Sequence, residues 1–271
     1  MGVDVRNFIE VLILAVVFVL GLASPARTDE RLFTYVYEAE VLPKGSTEYE
    51  QWVTLKHGKA DGQFSKWDFR HELEYGLTDR LTTALYFNHR YTYNRGVTGV
   101  SDESRSEFKG VSSEWKYLLL SPHINPVGAV LYGEVTYNGE ETELEQKLLL
   151  QKNLTDKWTL AFNLTFEEEW KYKIGETTEE FVIEQSAGLA YRVSPYWSAG
   201  LEFKNHREFP EFEGQEHSAY FLGPNIHCAN ARWWATFTII PQIYGTPETE
   251  HDLHLDEHER LETRLIIGFN F

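Results

Sequence analysis

Trp158-Thr159-Leu160-Ala161-Phe162-Asn163-Leu164-Thr165-Phe166-Glu167-Glu168-Glu169-Trp170 is the stretch that decides the fold. Trp158, Leu160, Phe162, Leu164 and Phe166 share one parity. Thr159, Ala161, Asn163, Thr165, Glu167 and Glu169 share the other. Successive side chains of a strand point to opposite faces of a sheet, so the segment predicts a strand with one aromatic, apolar face and one polar, charged face. In a soluble sandwich the apolar face meets a dry core. In a membrane barrel it meets lipid, and the polar face lines the lumen.

The pattern recurs along the chain. Trp67, Phe69, Leu73 and Tyr75 alternate with Asp68, Arg70, Glu72 and Glu74, and Leu81, Leu85, Phe87 and Tyr91 with Thr82, Ala84, Asn88 and Arg90. The charges that this register turns inward are Asp68, Glu72, Glu74, Glu114, Glu134, Glu145, Glu167, Glu169, Glu184, Glu202 and Glu262. Against them stand Arg70, Arg90, Lys116, Lys147, Arg192, Lys204 and Arg264. A sandwich does not set so many charges on one side of its strands against a core.

Turns repeat as well. Leu77–Thr82, Leu154–Thr159 and Val193–Ser198 are versions of one motif, and Ala229–Trp234 is a looser fourth. A recurrence of about 39 residues corresponds to one up-and-down pair of strands with its connections. The opposite connections are acidic and expected to be longer, near residues 57–66, 94–106, 138–143, 173–180, 207–216 and 245–259. The fold class expected is all-β: an antiparallel up-and-down transmembrane β-barrel of about 12 strands, the even number that bacterial single-chain barrels show. The first strand falls at 47–57 and the last at 260–271.

Composition agrees. The 271 residues are 42% hydrophobic and 15% aromatic, yet the mean hydropathy is −0.41. A helical membrane protein needs apolar runs of about 20 residues. The net charge of −17 argues against nucleic acid, whose phosphates demand clustered Lys and Arg. A single cysteine, Cys228, excludes an internal disulfide. Val11 to Leu22 is an unbroken apolar run followed by Ala23, Ser24 and Ala26, the form of a secretory signal. The chain therefore divides into a signal peptide (1–26), an N-terminal extension (27–46) and the barrel (47–271). Leu32 to Val41 is strand-like through Phe33, Tyr35 and Tyr37. Counting it makes the strand number odd, so it belongs outside the wall, as a periplasmic extension or a segment entering the lumen.

The closing stretch Arg264-Leu265-Ile266-Ile267-Gly268-Phe269-Asn270-Phe271 resembles the C-terminal signal of Gram-negative outer-membrane β-barrels, which the barrel-assembly machinery reads. That resemblance covers nearly the whole mature chain and implies outer-membrane lipids and lipopolysaccharide as surroundings. Ala39–Gly45 leading into Glu48–Trp52 is similar to the start of a family of uncharacterised bacterial barrels, loosely related to outer-membrane proteins assigned to phenol-degradation clusters. Neither resemblance brings catalytic residues.

Three constellations carry chemistry. The inward charges are either a lumen filled by paired side chains or a narrow pore whose acidic excess favours cations or polar solutes. His251, His254 and His258, at spacings of three and four among carboxylates, have the donor types of a zinc or copper site, but a solvated charged loop accounts for them equally simply. His89 and Ser113 fall on the lipid face of neighbouring strands, as a base and nucleophile would in a lipid hydrolase, yet no third group orients them. The leading reading is a passive channel for a small solute, with a plugged structural or surface-interaction barrel second and a lipid hydrolase third. No enzyme activity and no cofactor are expected. Phe271→Ser should impair assembly, because an unclosed barrel leaves backbone groups unpaired in lipid at several kcal/mol each. Reduced outer-membrane yield and lost heat-modifiable migration are the expected results; unchanged values count against the role of Phe271.

Overall fold

The computed structural model describes residues 31–173 and 176–271; the signal peptide expected at 1–26 lies outside them. Twelve strands form: β1 (Thr47–His57), β2 (Gln63–Thr78), β3 (Leu81–Arg95), β4 (Glu103–Leu120), β5 (Gly128–Tyr137) and β6 (Glu141–Asn153). They continue as β7 (Trp158–Lys173), β8 (Glu176–Ser194), β9 (Trp197–Pro210), β10 (His217–Ala229), β11 (Trp233–Thr246) and β12 (Leu261–Asn270). Each pairs antiparallel with its sequence neighbour. β1 pairs with β12, from Glu48↔Asn270 to His57↔Leu261, and closes the barrel. The Phe271 amide adds a bond to the Thr47 carbonyl at 3.0 Å.

The faces separate as the alternation requires. Leu85 and Phe87 are each 60% exposed, and Leu73, Trp115, Leu131, Trp158, Phe162 and Leu201 join them on the outer surface. An exposed apolar band around an entire barrel is a lipid-facing surface, far beyond the patches that soluble monomers leave in water. Aromatic pairs such as Trp158–Tyr191, with ring centroids 4.8 Å apart, sit at one rim of it.

Two expectations need correction. The connections at one end span 79–80, 121–127, 154–157, 195–196 and 230–232, and those at the other 58–62, 96–102, 138–140, 211–216 and 247–260. Only the last is long, so the expected asymmetry of loop length is weak. Parts of the expected loops, Glu176–Glu180 and Arg207–Pro210, lie in strands, because a polar side chain outside the lipid does not stop backbone pairing. The second correction concerns 31–42, which forms no strand. A closed sheet has no free edge for it to join.

Residues 31–42 lie inside the barrel instead. Phe33, Val36 and Ala39 have no exposed surface, and Tyr35, Tyr37 and Leu42 are nearly as enclosed. Small residues make room. A Cβ on Gly188 of β8 would lie 2.6 Å from the Phe33 ring, and one on Gly76 of β2 would strike the Pro43 carbonyl, where the segment leaves to begin β1.

The barrel predicts opposite tolerances at adjacent positions. Phe87→Arg, near the middle of the lipid face, should cost about 2–4 kcal/mol. Asn88→Arg, one residue on, faces the polar lumen and loses one hydrogen bond to Ser112, a cost of about 1 kcal/mol. Urea unfolding in lipid vesicles measures both. A larger cost at Asn88 would invert the assigned faces.

Candidate functional site

The site is the lumen, and the segment that crosses it organises the rest. A chain buried without a strand partner must satisfy its backbone groups by other means. Side chains of the wall do so here. The amides of Thr34, Tyr35 and Val36 all donate to the Glu202 carboxylate of β9, at 2.6–3.2 Å. Three successive N–H groups turned onto one anion form a concave nest. Asn163 of β7 accepts from the Tyr37 amide at 2.7 Å and donates to the Tyr37 carbonyl at 2.8 Å, imitating a strand neighbour. Gln151 receives the Ala39 amide and Thr82 the Leu42 amide. Asn225, Thr236 and Arg264 donate to the carbonyls of Leu32, Arg31 and Thr34. The anchors stand on β3, β6, β7, β9, β10, β11 and β12, so the segment is held across the full width of the lumen.

Its aromatic side chains are held between cations. The Arg31 guanidinium lies 3.9 Å from the Tyr37 ring centre, and the Lys147 ammonium lies 4.6 Å from it. Arg264 lies 4.2 Å from the Tyr35 ring. Such contacts strengthen when desolvated. Tyr37 and Ala39 also join an apolar cluster inside the wall with Trp52, Val130, Tyr132, Leu149, Trp234 and Ile266. The sequence reading left these inward apolar residues out. Their signal was parity: Trp52 shares a face with Glu48 and Glu50, and aromatic residues in a charged register mark a lumen with something packed in it.

The inward charges are mostly brought together in pairs. Arg70 meets Glu134 at 2.5 Å, Arg90 meets Asp68 at 2.5 Å, and Lys147 meets Glu145 at 3.0 Å. Lys116 binds Glu74, with Glu114 3.5 Å away, and Lys204 binds Glu262. Glu72 is buried beside Glu74 and Glu114. Phenol and indole donors complete several carboxylates: Tyr132 on Glu134, Trp52 on Glu50, Trp234 on Glu48. Glu184 faces His206 at 3.4 Å, and Glu169 faces Lys171 at 3.3 Å. Arg192 is a correction. Its parity is inward, but near the end of β8 its side chain is exposed, with its guanidinium on the Asp156 carbonyl.

Beyond the segment the lumen widens into a cavity of about 350 Å³. Asp68, Glu134, Glu141, Glu143, Glu145, Glu167 and Glu169 line it, with Lys56, Arg70, Arg90, Lys109 and Arg264. Carboxylates outnumber the basic side chains. Arg264 lines this cavity and also donates to the Thr34 carbonyl, so it links the cavity to the segment.

The expected histidine triad is only partly assembled. His254 and His258 fold inward from the 247–260 loop and are buried, whereas the His251 side chain is 87% exposed. His217 of β10 and His206 of β9 complete the cluster, and no local spacing reveals them. His89 and Ser113 are not brought together. Ser113 pairs across from Leu85, and His89 contacts Ser106 at 2.8 Å instead.

The closed wall, the apolar outer band and the charged interior define the class, a transmembrane β-barrel of the bacterial outer-membrane type. The chain belongs to DUF6662, a family of unknown function, whose model matches residues 25–271. Among solved structures it is similar to the NanC porin, with a TM-score of 0.54 at 9% identity, over 82% of this chain and 100% of that one. The KdgM porin in complex with disordered oligogalacturonate gives a TM-score of 0.47 at 10% identity, over 83% of this chain and 99% of that one. No curated protein matches. At these identities the likeness is one of fold.

Glu202 makes the anchoring testable. Glu202→Ala leaves three buried amides without their acceptor and should destabilise the barrel by about 3 kcal/mol. Glu202→Gln, which keeps one acceptor oxygen, should cost less. Urea midpoints measure the difference. Trypsin should also cut after Arg31, buried in the native protein, much faster in Glu202→Ala. Equal midpoints and equal cleavage would contradict the anchoring.

Proposed function

We propose that the protein is an outer-membrane channel for small polar solutes, with residues 31–42 as a displaceable stopper in its lumen. In this reading the end carrying the chain termini faces the periplasm, and the charged cavity opens outward as a vestibule. The observation that carries it is how the stopper is held. Its backbone is satisfied by side-chain amides, hydroxyls, a carboxylate and a guanidinium. Water or a polar solute offers those groups equivalent partners, so hydrogen bonding changes little on exchange. The aromatic contacts set the resting state. Burying a side chain like Phe33 contributes about 1.5–3 kcal/mol, so the stoppered form dominates without a stimulus. The carboxylate excess in the vestibule favours cations or neutral polar solutes over anions.

One observation favours a second reading, a permanently plugged structural barrel. The Tyr37 cluster with Trp52, Tyr132 and Trp234 is as well enclosed as a soluble core. Conductance separates the two. In planar bilayers the mature protein should conduct rarely and briefly, and the variant lacking residues 31–42 should give sustained, weakly cation-selective conductance. A deletion variant that folds and still does not conduct would exclude the channel.

A further inference from the structure

The histidine cluster lies where β9, β10 and the 247–260 loop meet and is not used by the reading above. The 247–260 loop builds half of it. Gln242 of β11 pins the loop through both backbone groups of His254, at 2.7 and 3.1 Å. Gly245 lets it pass, since a Cβ there would lie 2.2 Å from the His254 nitrogen. The loop thus delivers His254 and His258 onto His217. The His217 ring stacks on His254 at 5.0 Å between centroids and meets the edge of His258 at 4.8 Å, and His258 meets His206 at 5.4 Å.

The ring nitrogens of the cluster are unevenly partnered. His258 Nε2 lies 3.0 Å from His217 Nδ1, so one proton is shared between the two rings. The other ring nitrogen of His217 is Nε2. This atom is buried and has no hydrogen-bond partner, although Glu208 Oε2 lies 3.1 Å away, off the direction a donor needs. An imidazole nitrogen and a carboxylate oxygen held at that distance need a cation between them, either a proton or a metal ion. His254 repeats the theme. Its Nδ1 bonds the Pro247 carbonyl at 2.6 Å, which can only accept, and its buried Nε2 has no hydrogen-bond partner.

We infer that this cluster is a divalent transition-metal site of the zinc type, with His217 Nε2, Glu208 and Glu216 as ligands and His206 as the second imidazole. Donor atoms of Glu208, Glu216 and His217 lie within 4.8 Å of one another, and His206 Nε2 is 4.0 Å from Glu208 Oε2. Metal–ligand bonds of about 2.0–2.1 Å give a tetrahedron with edges of about 3.3 Å, so the 3.1 Å His217–Glu208 pair already has the right spacing. Glu216 is exposed and free to swing inward. His258 acts as the outer partner that fixes the tautomer of His217, as carbonyls and carboxylates do for ligating histidines elsewhere. A bound ion would tie the 211–216 connection to β9 and, through His258, to the 247–260 loop. Two carboxylates and neutral imidazoles suit Zn²⁺ in charge and softness.

Calorimetric titration of the refolded mature protein with ZnCl₂ should show one equivalent bound. His217→Gln, and Glu208→Gln combined with Glu216→Gln, should weaken binding at least a hundredfold. His258→Gln, which touches only the outer partner, should weaken it about 10–100-fold. His251→Gln, outside the cluster, should leave it unchanged. Absence of binding, or binding that survives His217→Gln, would mean the cluster is only a histidine–carboxylate ion pair. Co²⁺ added to the unaltered protein gives a test free of folding effects. Intense visible bands of a four-coordinate ion are expected, and the weak spectrum of hydrated Co²⁺ would overturn the assignment.

Discussion

In a bilayer every backbone N–H and C=O must find a partner within the protein. Twelve strands meet that demand only by closing on themselves, and the β1–β12 ladder does so. Closure has a consequence for the chain that precedes β1. Residues 31–42 are too apolar to be left in water, with Phe33, Tyr35 and Tyr37 at alternate positions, and they find no sheet edge to join. They enter the lumen, and their backbone is satisfied by Glu202, Asn163, Gln151 and Thr82 in place of a neighbouring strand. The wall's inward side chains are therefore selected twice, as lumen lining and as the binding surface for the chain's own N-terminus.

The electrostatics follow from the same enclosure. A buried charge is costly unless paired and hydrogen-bonded. Arg70–Glu134, Lys204–Glu262 and Lys116–Glu74 answer that cost across the barrel. Breaking one partner of such a pair strands the other, so the inward network defines one arrangement of the lumen more than it adds stability. Around Glu143 and Glu167 the inward side chains line a cavity in place of a packed interior.

Much of this was legible in the chain. Strand parity separates Leu164 from Thr165 and Phe87 from Asn88 without any structure, because lipid on one side and a lumen on the other impose a period of two. The segment at 32–41 reads as strand-like for the same reason, and its exclusion from the wall follows from an even strand count. Its seat was not legible. Glu202 lies 168 residues from Thr34, and nothing local distinguishes it from any other inward carboxylate. The histidines divide in the same way. His254 and His258 stand out by spacing, but His217 and His206 come from two strands that only the closed topology sets beneath the loop. His251 shares the spacing and turns away. Arg192 has inward parity but stands two residues from the end of β8, where its side chain is exposed.

The central claim is that residues 31–42 occupy the lumen of the folded protein. Amide hydrogen exchange of the barrel in lipid vesicles tests it most directly, because those amides bond to side chains and no strand ladder protects them. Slow exchange at Thr34 to Ala39, lost in Glu202→Ala, is the predicted result. Exchange at the rate of an unstructured peptide in the otherwise protected, unaltered barrel would contradict it.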